Sequence, residues 1–88
     1  MNSTRPDRAE LEDDILQQVQ YEIQETLLVH APKQWQDEEL DAIEEQIIAH
    51  TRLVMEALST DELRSAGALR SHIANAVANT KKLIHERT

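Results

Sequence analysis

Leu11, Ile15, Val19, Ile23 and Leu27 recur at every fourth position, with Leu16 and Leu28 beside them. That spacing returns an apolar side chain to the same face on each turn of an α-helix. A strand would instead alternate its faces every second residue. The pattern predicts a first helix over residues 7–30. Pro6 suits the first turn, with Thr4 upstream as a cap, and residues 1–6 are expected to be flexible. Pro32 ends the segment, because it disfavours helix at Ala31 and carries no amide proton.

A second run, Leu40, Ile43, Ile47, Val54 and Leu58, flanked by Ile48, Leu53 and Met55, predicts a helix over residues 38–58. Asp37 is the expected N-cap. Glu38, Glu39 and Asp41 lie in the first turn, where the helix dipole favours anions. His50 falls on the seam drawn through Ile43, Ile47 and Val54. Ser59-Thr60-Asp61-Glu62 then reads as a capping box, the signature of a new helix start. The register agrees: continuing the second helix past Leu58 would expose Leu63 and Leu69. A restart puts Leu63, Ala66, Leu69 or Arg70, Ile73, Val77 and Ile84 on one stripe, which predicts a third helix over 60–86. One continuous helix through residue 59 is the competing reading.

The expected fold is therefore all-α, an antiparallel three-helix bundle forming a single domain over residues 1–88. Leu27-Leu28-Val29 and Leu53-Val54-Met55 are apolar almost all round, so each needs more than one covering neighbour. The third helix or a second copy of the chain can supply that cover. Dimerisation through helix faces is the expected assembly.

Composition narrows the class. The 88 residues include one glycine, two prolines and two aromatics, Tyr21 and Trp35, while Ala, Leu, Glu and Gln dominate. A β-sandwich or barrel needs more turns and β-formers than this. The regular apolar spacing separates the chain from disordered sequences of similar charge. Without cysteine there is no disulfide and no thiolate metal site. No apolar run approaches the roughly 18 residues of a membrane span, and Arg5 and Arg8 precede no signal-peptide core. The cytoplasm is the expected location.

Charge is uneven. Residues 1–60 hold 14 acids against 4 bases, a net of −10, and residues 61–88 hold 3 against 5, a net of +2. In the second helix Glu38, Asp41 and Glu45 share a face, with Glu44 beside them and no Lys or Arg three or four residues on. Glu10, Glu12, Asp13 and Asp14 add to the field without such partners. These acids keep the protein soluble and satisfy helix N-termini. They also form a surface steered towards a protein partner with a basic surface. Trp35, in the connector 31–36, is either a lid on Leu28 or Leu40 or an exposed anchor for that partner.

Residues 60–88 suggest a second class of function. Ser65-Ala66-Gly67-Ala68 marks either the close approach of a neighbouring helix or a break at Gly67. Such a break would leave Asp61–Ala66 and Leu69 onward as short helices, a degenerate helix-turn-helix with Arg64, Arg70, His72, Lys81 and Lys82 facing phosphates. Glu62 stands where that motif favours an apolar residue, and Leu63 where it favours alanine, so nucleic acid is the lesser expectation.

Catalytic chemistry finds no purchase. There is no glycine-rich loop, no thiol and no recognisable serine–histidine–acid pattern. His30, His50, His72 and His85 form neither Glu-x-x-His nor His-Glu-x-x-His. No metal, cofactor or enzymatic activity is expected. His50 reads as a hydrogen-bonded seam histidine able to make assembly pH-sensitive. His30 and His85 complement helix C-termini. Asn75 and Asn79, four apart, can meet across an interface or face water.

Overall fold

The structure, a computed structural model, describes residues 5–88, without the side chains of residues 5–7 and 66. The proposed Thr4 cap and residues 1–4 of the start expected to be flexible lie outside the described residues, while residues 5 and 6 of that start belong to the first helix. Four helices follow in order: α1 (Arg5–His30), α2 (Asp37–Glu56), α3 (Thr60–Arg64) and α4 (Ala66–Arg87). The all-α class matches the expectation. The molecule measures 52 × 21 × 18 Å.

Ile15, Val19, Ile23 and Leu27 of α1 are buried, as their four-residue spacing requires. They pack against Ile43, Ile47 and Met55 of α2, Leu63 of α3, and Ala76 and Ile84 of α4. Helix direction is fixed by pairs at the rim. Arg8, early in α1, bonds the carbonyl of Met55, late in α2. Gln20 and Gln24, further along α1, bond Glu44, near the start of α2. The two helices therefore run antiparallel. α4 returns along α2, with His72 and Asn75 beside Val54 and Leu58, and Asn79 and Leu83 beside Ile47 and His50.

Three expectations need correction. The third segment is two helices, because Ser65 takes an extended conformation at ψ 145°. Its N–H and its hydroxyl both donate to the carbonyl of Glu62, at 3.3 and 3.1 Å, which closes α3 before α4 opens. The break is thus at Ser65 rather than Gly67. Gly67 sits in the first turn of α4, and a Cβ there would meet nothing within 4 Å, so no neighbour among the described residues explains it.

The α2 seam is also rotated from the one expected. Ile43, Ile47, Thr51 and Met55 are buried in steps of four, leaving Val54 and Leu58 half-buried and His50 exposed. Thr51 takes the interior place assigned to His50, because a hydroxyl can return to the carbonyl of Ile47 at 2.9 Å and needs no outside partner. Likewise α4 buries His72, Ala76, Thr80 and Ile84, while Ile73 and Val77 are half-buried and Leu69 is exposed. Shifting the start of α4 to residue 66 turned the stripe by one position.

The third correction concerns a cap. Gln36, not Asp37, is the N-cap of α2, its side chain and that of Glu39 forming a capping box, with the Gln36 N–H donating to Glu39 Oε1 at 2.8 Å. At α3 the predicted box is in place: Glu62 N–H donates to Ser59 Oγ at 3.1 Å and Ser59 N–H to Glu62 Oε1 at 2.7 Å.

Candidate protein-binding site

Pro32 stops α1, and the Trp35 N–H donates to the Pro32 carbonyl at 3.1 Å, so the connector turns sharply before α2. The turn folds the Trp35 ring against the core edge, half-buried rather than fully covered. Leu28 stays beside it at 79% exposure, because the face of α1 that carries it lies opposite Ile15, Val19 and Ile23. Leu27, Leu28, Ala31, Pro32, Trp35 and Leu40 line one notch at this end of the molecule.

The rim of that notch is acidic. Asp37, Asp41 and Glu44 line it, together with Lys33. Capping geometry explains the cluster: the first turn of α2 carries Asp37, Glu38 and Glu39, where the positive end of the helix dipole stabilises them. Glu39 is spent on the cap. Glu44 is half-buried and accepts from Gln20 at 2.6 Å and from Gln24 at 3.5 Å. Glu38, Asp41 and Glu45 are exposed, and none forms an ion pair among the described residues. Of the five residues singled out from sequence, Trp35, Asp41 and Glu44 meet at the notch. Glu45 lies with Asp41 and Glu44 along the α1–α2 groove on the far side, and Glu38 is exposed in the first turn of α2.

The basic residues do not gather into one patch. Arg70 and Lys81 share a line along α4. Lys82 faces the α2 side, where it lines a groove with His50, Asn79 and Glu86. Arg64 belongs to α3 and approaches Asp61 at 3.7 Å.

One residue escaped the sequence reading and one was misplaced by it. Arg8 joins three helices: it pairs with Glu12 at 2.9 Å, donates to the Met55 carbonyl at 3.0 Å and to Thr60 Oγ1 at 3.2 Å. The absence of any basic residue in the last turn of α2 was the available signal, since that helix end still needs a cation. His72, expected to face phosphates in the helix-turn-helix reading, is instead interior, 5% exposed, and its Nε2 has no hydrogen-bond partner among the described residues. Desolvation lowers its pKa from the ordinary 6.5. In sequence it sits between Ser71 and Ile73, and only the position of the Ser65 break decides that it faces inward.

Among the described residues no helix is long and apolar enough to cross a membrane, and no group of three His, Asp or Glu side chains could hold a metal ion. Compared with known proteins, the chain matches no family model, no curated protein and no solved structure.

Proposed function

We propose that the protein is a non-enzymatic regulatory or adaptor module that binds a protein partner with a basic surface at the Trp35 end. One observation carries this: an apolar notch containing an exposed leucine and a half-covered tryptophan opens directly beside three carboxylates. Apolar anchors give affinity, and a like-signed rim gives orientation and association rate. A partner with a large apolar side chain flanked by Lys or Arg fits both parts. An inhibitor or antitoxin that masks a basic active surface is the narrower form of this reading. In it the three long helices act as one rigid antiparallel bundle presenting the site.

Trp35 supplies its own reporter. Titration with a model amphipathic helix of Leu and Lys should shift Trp35 emission saturably, and the affinity should fall as salt rises. Changing Asp37, Asp41 and Glu44, the carboxylates of the notch, together to Lys should remove that binding while helical content is kept. A peptide of equal charge without leucine should bind more weakly. Equal binding of all peptides by both proteins would end the proposal. Retardation of duplex DNA that is lost with Arg70→Glu and Lys81→Glu would transfer the function to α4.

A further inference from the structure

We infer that the face shared by α2 and α4 docks a second copy of this chain, the two α4 helices packing antiparallel across a twofold axis near Asn75. The surface differs from the rest of the molecule. Gly67, Ser71, Asn75, Ala78 and Lys82 follow one another at three- and four-residue spacing along α4, all exposed. Gln46, His50, Leu53 and Ala57 do the same along the adjacent side of α2. In a chain with 30% charged residues, the stretch between Gly67 and Ala78 carries no charge on this face. Side chains this small let helix backbones approach closely, and Leu53, 65% exposed, stands at its middle as the apolar residue to be covered.

Two features that nothing within one chain explains lie in the same groove. Gly67 has open space where a Cβ would stand. His72 lines the groove with Val54, Leu58, Gly67 and Ala68, nine-tenths buried, its Nε2 unpartnered. A buried imidazole nitrogen left without a partner is costly. A second α4 arriving antiparallel brings the carboxamides of its Asn75 and Asn79 beside the His72 ring, and a turn of that ring, whose Nε2 is enclosed, would let a carboxamide donate to or accept from it.

The ends identify the occupant as another copy. Asp61 and Glu62 stand at the α3 end of the face, and Lys82 at the opposite end. A twofold axis midway brings each copy's acidic end to the other's lysine. An isologous interface must be self-complementary in this way.

Sedimentation equilibrium on the full chain tests the inference. The expected mass at high micromolar concentration is twice the 10.1 kDa of one chain. Asn75→Arg puts two cations at the axis and should weaken association by at least about tenfold with an unchanged helical spectrum, since Asn75 is exposed. Asp61→Lys and Lys82→Glu should each weaken it, and their combination should restore it. Tyr21→Arg, on the outward face of α1, should leave it intact. His72 imidazole resonances should shift with concentration. A mass of 10.1 kDa throughout, or a dimer indifferent to Asn75→Arg and both charge reversals, overturns the inference.

Discussion

Arg8 Nη2 donates to the main-chain carbonyl of Met55 at 3.0 Å, across 47 residues of chain. Met55 lies in the last turn of α2, where carbonyls lack intrahelical donors and the dipole is negative. α2 places no cation of its own there, so α1 lends one. The same guanidinium reaches Thr60 at the head of α3, so a single side chain holds the α2–α3 junction against α1. Arg8→Ala is expected to lower stability by about 1–2 kcal/mol, the range for hydrogen bonds from a charged donor at partial exposure. In a domain of this size each kcal/mol is worth about 4–8 °C in Tm. Arg8→Lys should recover only part, because an ammonium cannot reproduce the fork that spans three acceptors. Thermal unfolding of the three proteins checks this; equal melting temperatures would contradict it.

Neighbouring leucines should behave oppositely. Leu27 is buried at 5% exposure and Leu28 stands out at 79%. Leu27→Ala is expected to cost about 2–5 kcal/mol, the range for emptying a core site. Leu28→Ala should change stability by no more than about 0.5 kcal/mol while weakening peptide binding at the notch. Urea midpoints and the Trp35 titration separate the two effects.

His72 should make stability depend on pH. Its folded pKa is lowered by desolvation from the ordinary 6.5, so the unfolded chain binds a proton that the folded one resists. Stability should then rise with pH through this range. It is highest above the unfolded pKa, declines as pH falls below it, and levels off beneath the lowered folded value. Groups near the imidazole are Asp61 and Glu62 on α3; Asn75 on α4, Val54 on α2 and Leu58 in the α2–α3 turn are uncharged. His72→Leu should flatten the dependence in that window. Denaturation midpoints at neutral and mildly acidic pH provide the measurement, and an unaltered slope in the variant would refute the assignment.

The cap at Ser59 supplies an acid limb at lower pH. Hydrogen bonds from the Ser59 N–H and from its side chain lower the Glu62 pKa below the ordinary 4.5. The stabilisation is therefore present above that value and lost as pH falls through the lowered one. Ser59→Ala should cost about 1 kcal/mol, as N-cap losses do, and the Glu62 carboxyl should titrate closer to its ordinary value. Carboxyl NMR titration of both proteins tests this.

Much of the architecture was legible because local rules and burial agreed. The α1 stripe from Ile15 to Leu27 was read correctly since every fourth residue is apolar and Pro32 gives a hard stop. The Ser59 box was legible because its four residues carry their own chemistry. The α4 stripe was not, because its inward positions are His72, Ala76 and Thr80, none of which announces burial. Thr51 misled in the same way, and His50, its exposed neighbour, took the place that a hydrophobic pattern would assign. At the notch, sequence gave the residue types and the unpaired charge. That Leu28 turns outward to meet Trp35 followed from which face of α1 the other helices claimed.

Thr26, Thr51 and Thr80 are buried, and each hydroxyl donates to a carbonyl of its own helix, at 2.8, 2.9 and 2.7 Å. They ask nothing of the helix opposite. Among the described residues, direct side-chain hydrogen bonds between the long helices come from Arg8, Gln20 and Gln24, all at the rim. The middle of the molecule is thus keyed by shape alone. Register between α4 and its neighbours therefore rests on interdigitated side chains, so a core substitution that changes volume disturbs their alignment more than the loss of any of these three hydroxyls.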